Sequence, residues 1–269
     1  MKIALLQMRS GLNIEANVEA VAKAAAKAAK DGARLLATPE MTSFMQRKPS
    51  ALKKGVKAED KDKALAAFGE AAQKHAIHLL IGSMAIKRED GQIANRSFLF
   101  DPSGDIVARY DKIHLFEAAI SKSETYREAD TYGAGHEAVI APVEDLQMGL
   151  SICYDLRFAE LYRSYGQAEA EMIAVPAAFT EATGKAHWET LLRARAIETG
   201  AYIIAPAQGG VHEDGRKTWG RSMVVDPWGE VIAKLDHNKP GLLFADIDAA
   251  KVTSARAKIP AWRGPSGNE

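Results

Sequence analysis

The chain has 269 residues, 47% of them hydrophobic, which suits a substantial core and excludes a disordered composition. Thirty-five Lys and Arg balance thirty-five Asp and Glu, so no net field favours nucleic acid or an anionic membrane. No apolar run approaches the ~20 residues that span a bilayer, and the lone Cys153 cannot form an internal disulfide. The expectation is a soluble cytoplasmic protein.

The predicted elements alternate between strand and helix. Met1–Met8 is strand-like and too short for a signal-peptide core. Asn13 is placed to cap an Ala-rich amphipathic helix over about Ile14–Lys30, stopped at Asp31-Gly32. Strand Arg34–Thr38 is halted by Pro39, and Glu40 follows. Gln46–Asp62 is polar and basic and reads as a loop, with a helix over about Lys63–His75. His78–Ile86 is an apolar strand that ends at the turn Glu89-Asp90-Gly91. Ser97–Phe100 and Ile106–Tyr110 flank Asp101-Pro102-Ser103-Gly104, which has hairpin-turn chemistry. Lys112 comes just after.

A polar segment without periodicity, Glu117–Gly135, then reads as a long loop, and such loops are usually functional. The apolar run Met148–Ile152 reads as a buried strand that delivers Cys153 into Tyr154-Asp155. Helix Phe158–Gln167, strand Met172–Ala177, helix His187–Thr199 with Gly200 at its end, and strand Ala201–Ala205 complete the alternation. Trp219–Val225 and Val231–Lys234 bracket the turn Asp226–Gly229. Gly241–Ile247 is the last strand, and a short helix starts near Asp248. The pattern predicts an α/β protein with mixed sheets, organised as one domain over residues 1–269.

Glu40, Lys112 and Cys153 each follow the end of a predicted strand, where open α/β sheets build their sites. Taken singly they have bland readings: a helix N-terminal charge, a solvated cation and a packed thiol. A thiol where a strand opens onto a helix start is also where a thiolate is stabilised and presented to substrate. Ala37-Thr-Pro-Glu40, Tyr110-Asp-Lys-Ile-His-Leu-Phe116 and Ile152-Cys-Tyr-Asp-Leu-Arg157 together resemble the nitrilase superfamily of carbon–nitrogen hydrolases. The resemblance covers essentially the whole chain. It implies a four-layer α-β-β-α sandwich of the nitrilase type, assembled as a homodimer or higher homo-oligomer, with a Glu-Lys-Cys triad. The family often has a second glutamate between lysine and cysteine. Glu128 matches that position, with Glu117 and Glu124 as neighbouring competitors.

The roles implied are Cys153 as nucleophile and Glu40 as proton carrier, a task suited to a carboxyl raised toward neutrality by burial. Lys112 and the backbone N–H of Tyr154 would stabilise the oxyanion, and Glu128 would hold Lys112 or the substrate amide. Among the histidines only His114 lies beside a candidate residue, and it reads as structural rather than as half of a Cys-His pair. No spacing suggests a metal site, and no glycine pattern suggests a nucleotide, so no cofactor is expected.

Motifs in the C-terminal half, including Arg193-Ala-Arg-Ala-Ile-Glu-Thr199 and Met223-Val-Val-Asp-Pro-Trp228, resemble those of the Nit branch and of deaminated glutathione amidases within it. Ile152-Cys-Tyr-Asp155 is shared with ω-amidases acting on α-ketoglutaramate. The two substrates share an α-keto dicarboxylate acyl half and differ in leaving group, cysteinylglycine or ammonia. Arg47 and Lys48 are candidates to meet a substrate carboxylate, or else part of a solvated basic loop. A non-catalytic binding protein on the same fold is the competing class.

Overall fold

The computed structural model describes residues 1–121 and 124–264, without the side chains of 120, 121, 124 and 126. Along β1 (Lys2–Gln7), Ile3 and Leu5 point to one face and Ala4 and Leu6 to the other, and all four are buried. A strand apolar on both faces needs cover on both sides.

After β1 come α1 (Ile14–Lys30), β2 (Leu35–Ala37), α2 (Pro49–Gly55), α3 (Lys63–His75) and the meander β3 (His78–Lys87), β4 (Ile93–Phe100) and β5 (Ile106–Asp111). A small hairpin, β6 (Glu117–Ser121) and β7 (Glu124–Arg127), is followed by β8 (Val139–Val143), β9 (Leu146–Leu150), α4 (Ala159–Gln167) and β10 (Met172–Ala174). Then come α5 (Glu181–Thr199), β11 (Tyr202–Ala205) and a second hairpin, β12 (Gly209–Val211) and β13 (Lys217–Trp219). The order closes with β14 (Met223–Val225), β15 (Val231–Lys234), β16 (Gly241–Asp246) and α6 (Ala249–Lys258).

Two six-stranded sheets result, ordered β16-β1-β2-β3-β4-β5 and β15-β14-β11-β10-β9-β8. Each has a parallel centre, β1-β2-β3 in one and β9-β10-β11 in the other, flanked by antiparallel strands. Ile3, Leu5, Leu35 and Leu80 of the first sheet share one buried cluster with Met148, Leu150 and Ile173 of the second. Ala24, Ala25 and Ala28 of α1 and Phe68 of α3 cover the other face of the first sheet, against Ala4, Leu36 and Leu79. The alanines let that helix lie close to the sheet. Trp188, Leu192 and Ala196 of α5 pack on the second sheet. The layering is α-β-β-α, as the resemblance implied.

Asn13 caps α1 through Ala16 N at 2.9 Å, and Gly200, at φ 58°, ends α5. Three segments differ from the sequence reading. The basic stretch 46–62 contains α2, with Pro49 at its first turn and Leu52 buried. Helix α5 starts at Glu181, not His187, because Thr180 caps it and Gly184 fits against Trp219, where a β-carbon would overlap the ring. Tertiary packing there overrides a glycine's poor helix propensity. The polar segment 117–135 contains the β6–β7 hairpin and a 3-10 turn, Glu128–Asp130. Among the described residues no helix is long and apolar enough to cross a membrane.

Candidate active site

Glu40, Lys112 and Cys153 follow the ends of β2, β5 and β9, and the packing of the two sheets brings them together. The Glu40 turn is built from hydroxyls. Thr38 Oγ1 accepts from Gly82 N at 3.0 Å, Thr42 Oγ1 donates to Pro39 O at 2.6 Å, and Ser83 Oγ accepts from Met41 N at 2.9 Å. Gly82 is required by the close approach of both halves, since a β-carbon there would overlap Thr38 O, Pro39 O and Pro176. Cys153 sits in the left-handed region, at φ 50°, with its N–H on Pro176 O at 2.9 Å. Such a conformation in a non-glycine residue is strained and concentrates at functional sites.

Lys112 Nζ donates to Glu40 Oε1 at 2.9 Å and to Glu128 Oε2 at 2.8 Å, and it is only 2% exposed. Asn95 Nδ2 donates to the same two carboxylates, at 3.0 Å each. Glu40 Oε2 accepts from Ala178 N at 2.9 Å, and Glu128 Oε2 also accepts from Phe116 N at 2.7 Å. The Cys153 thiol stands near the Glu40 carboxylate and the Ala178 backbone, and both bear on its ionisation. It faces a carboxylate, while His114 Nδ1 is spent on Asp155 at 2.7 Å.

Burial pushes the Cys153 thiol well above its ordinary value, and the Glu40 charge adds to this. Burial alone would lower Lys112, yet Glu128 and Glu40 hold it well above the usual lysine range. Burial pushes Glu40 upward too, but the Lys112 charge and the hydrogen bonds from Lys112, Cys153 and Asn95 more than offset it. Glu40 therefore lies below the ordinary carboxylate range, which corrects the expectation of a carboxyl raised toward neutrality. The resting site holds two carboxylates, one ammonium and a neutral thiol.

These groups line a cavity of about 260 Å³ together with Tyr154, Arg47, Arg157 and Arg216. Of the competing glutamates, Glu128 meets the lysine. Glu117 is 76% exposed and 3.8 Å from Arg127, and the Glu124 side chain lies outside the described residues. Tyr154 donates its hydroxyl to Glu117 O at 3.2 Å. Arg47 is an exposed residue at the rim, whereas Lys48 serves as the N-cap of α2 and is not among the cavity's lining residues.

Asn95, Arg157 and Arg216 were missed by sequence reasoning. The Arg157 guanidinium lies over the rings of Phe179 (5.3 Å) and Tyr154 (5.8 Å). Arg216 enters from the β12–β13 turn; its Nε is buried without a hydrogen-bond partner among the described residues, 4.0 Å from Asp214. Arg157 was legible within the cysteine motif. Asn95 and Arg216 carried no local signal. Among the described residues no group of three or more His, Cys, Asp or Glu side chains is arranged to hold a metal ion.

A family model described as carbon–nitrogen hydrolase matches residues 2–257. A deaminated glutathione amidase from Synechocystis sp. (strain PCC 6803 / GT-S) is 38% identical over 262 residues, covering 96% of this chain and 95% of the relative. An omega-amidase from Homo sapiens is 36% identical over 197 residues, covering 73% of this chain and 70% of the relative. The C. elegans NitFhit protein superposes with a TM-score of 0.90 at 34% identity, over 98% of this chain and 65% of that longer one.

Proposed function

The chain belongs to the carbon–nitrogen hydrolase family, and on that premise we propose that it cleaves the amide of deaminated glutathione, giving 2-oxoglutarate and cysteinylglycine. The observation that carries this reading is one cavity lined by Cys153, on a strained backbone, and by a carboxylate that is itself held by a buried ammonium.

In this mechanism the Cys153 sulfur attacks the amide carbon as Glu40 takes the thiol proton. With the thiol neutral at rest, attack and proton transfer are coupled. Glu40 returns the proton to the departing amine nitrogen, leaving a thioester. It then takes a proton from water, which attacks the thioester; collapse releases the carboxylate product, and Glu40 reprotonates the sulfur. Lys112 spends two of its three N–H groups on Glu40 and Glu128, so the third is directed to the oxyanion, alongside Tyr154 N–H.

The arginines Arg47, Arg157 and Arg216 around the cavity support an anionic substrate. The same acyl half supports a second reading, ω-amidase action on α-ketoglutaramate, which the human relative favours. The reading includes a single domain over residues 1–269 and a cytoplasmic location suited to a free Cys153. It includes a homodimer through the exposed apolar Ile197 and Trp228, 53% and 51% accessible.

The test is mass spectrometry of enzyme quenched during turnover, which is expected to find the acyl group on Cys153. A panel of deaminated glutathione, α-ketoglutaramate and a simple nitrile accompanies it. Turnover with no adduct on Cys153, and with no hydroxamate product when hydroxylamine is added as a competing nucleophile, would remove the thioester route.

A further inference from the structure

Asp155 lies two residues beyond the nucleophile and is 0% exposed. Its Oδ1 accepts from His114 N at 2.9 Å and from His114 Nδ1 at 2.7 Å. Its Oδ2 accepts from Tyr110 OH at 2.7 Å and from Ile152 N at 2.8 Å. A carboxylate has about four lone-pair positions, and here all are used. The donors are not scattered. Tyr110 and His114 stand on either side of Lys112, and Ile152 immediately precedes Cys153. His114 is braced by stacking on Phe158, with ring centroids 3.6 Å apart.

We infer that Asp155 is a positioning residue for the reaction, tying the lysine-bearing end of β5 to the strained cysteine turn so that Lys112 and Cys153 keep a fixed separation. This rests on the triad reading above. A carboxylate is needed because the donors include two backbone N–H groups, one on each oxygen. The Tyr110 hydroxyl and the His114 ring can each reverse and accept from an amide, but a backbone N–H cannot. Asparagine would therefore leave either the lysine arm or the cysteine turn without its acceptor, whichever way the amide is turned.

The test compares Asp155→Asn and Tyr110→Phe with wild type, and with Cys153→Ala, at a temperature where circular dichroism shows each to be folded. The expected result for Asp155→Asn is a kcat loss on the order of 100-fold, as for a displacement of about 1 Å of reacting groups. Tyr110→Phe should give a smaller loss of the same kind. Iodoacetamide alkylation of Cys153 should also slow, with its pH profile moving upward, because Lys112 favours the thiolate and Glu40 opposes it, with Glu128, Arg157 and Arg216 lining the same cavity. A purely structural role would lower the melting temperature and leave the alkylation profile in place. If Asp155→Asn does not fold, Tyr110→Phe decides: an unchanged kcat and alkylation profile overturns the inference. Turnover by Cys153→Ala would sink the triad reading itself, whereas an inactive Cys153→Ala beside a fully active, folded Asp155→Asn sinks the clamp alone.

Discussion

Glu40 and Glu128, on different elements and far apart in sequence, are joined by the same two donors: Lys112 Nζ and Asn95 Nδ2 each reach both carboxylates, at 2.8–3.0 Å. Two carboxylates this close, one buried and one half-buried, repel, and one ammonium cancels only half of their charge. The neutral amide of Asn95 supplies the remaining donors without adding charge of its own.

Replacing Asn95 by Asp keeps the shape and adds a third acid. One of the three carboxyls should then hold a proton near neutrality. The expected outcome is a kcat/KM at least about tenfold lower at pH 7, with its acid limb moved upward. Steady-state rates across pH 4–9 decide it, and an unchanged limb refutes the shared-donor account.

Cys153→Ala should abolish hydrolysis while leaving the fold intact, because it removes a small buried group that is the nucleophile of the proposed route. Cys153→Ser should also be nearly inactive, since Glu40 below its ordinary range is a weak base for a hydroxyl. Substantial turnover by a natively stable alanine variant would discard the mechanism.

Lys112→Arg should not restore function, although charge is preserved. The site holds a compact ammonium at 2% exposure between two carboxylates, and a planar guanidinium does not fit that volume. Lys112→Met should cost ~3–5 kcal/mol of stability, as expected when buried charges lose their partner. Urea melts of both variants, run beside activity assays, check these two expectations.

Stability should fall at both ends of the pH range. Glu40 is held below its unfolded value, so its contribution is complete above about pH 4.3 and is lost as pH falls through the folded value. Lys112 is raised, so its contribution is complete below about pH 10.4 and is lost as pH rises through the folded value. The raised Cys153 thiol adds an earlier loss above about pH 8.5. Cys153→Ala should therefore flatten the alkaline side between pH 8 and 10 in denaturant titrations. An identical slope in wild type and variant contradicts this assignment.

Substrate preference should separate the arginines by depth. Arg216 is half-buried within the cavity and Arg47 is exposed at its rim. Arg216→Gln should lower kcat/KM for both deaminated glutathione and α-ketoglutaramate, which share the acyl half. Arg47→Gln should lower only the former, by about tenfold, the equivalent of ~1.4 kcal/mol for one charge-assisted hydrogen bond to the leaving group's carboxylate. Lys48→Gln should change neither. A wild-type enzyme with equal or reversed preference would move the assignment to ω-amidase.

The sequence by itself determined the elements whose signals are local. Asn13 and Asp31-Gly32 bounded α1, apolar runs marked the strand of Cys153 and its neighbours, and Asp101–Gly104 marked a hairpin. Strand ends drew attention to Glu40, Lys112 and Cys153, and the joint resemblance of their motifs to the nitrilase superfamily singled them out as a triad. Tertiary structure decided what depends on residues distant in the chain. Helix α5 extends back to Glu181, capped by Thr180, where Gly184 lets the distant Trp219 pack against it. Asn95 and Arg216 become site residues only once β4 stands beside Glu40 and Glu128 and the β12–β13 turn reaches the cavity. The ionisation of Glu40 followed the same rule: burial, inferred from sequence, pushes a carboxyl up, but the sign was set by an ammonium 2.9 Å away on another strand end. The Lys112 charge and the hydrogen bonds converging on Glu40 together outweigh desolvation, and those partners meet only in the folded chain.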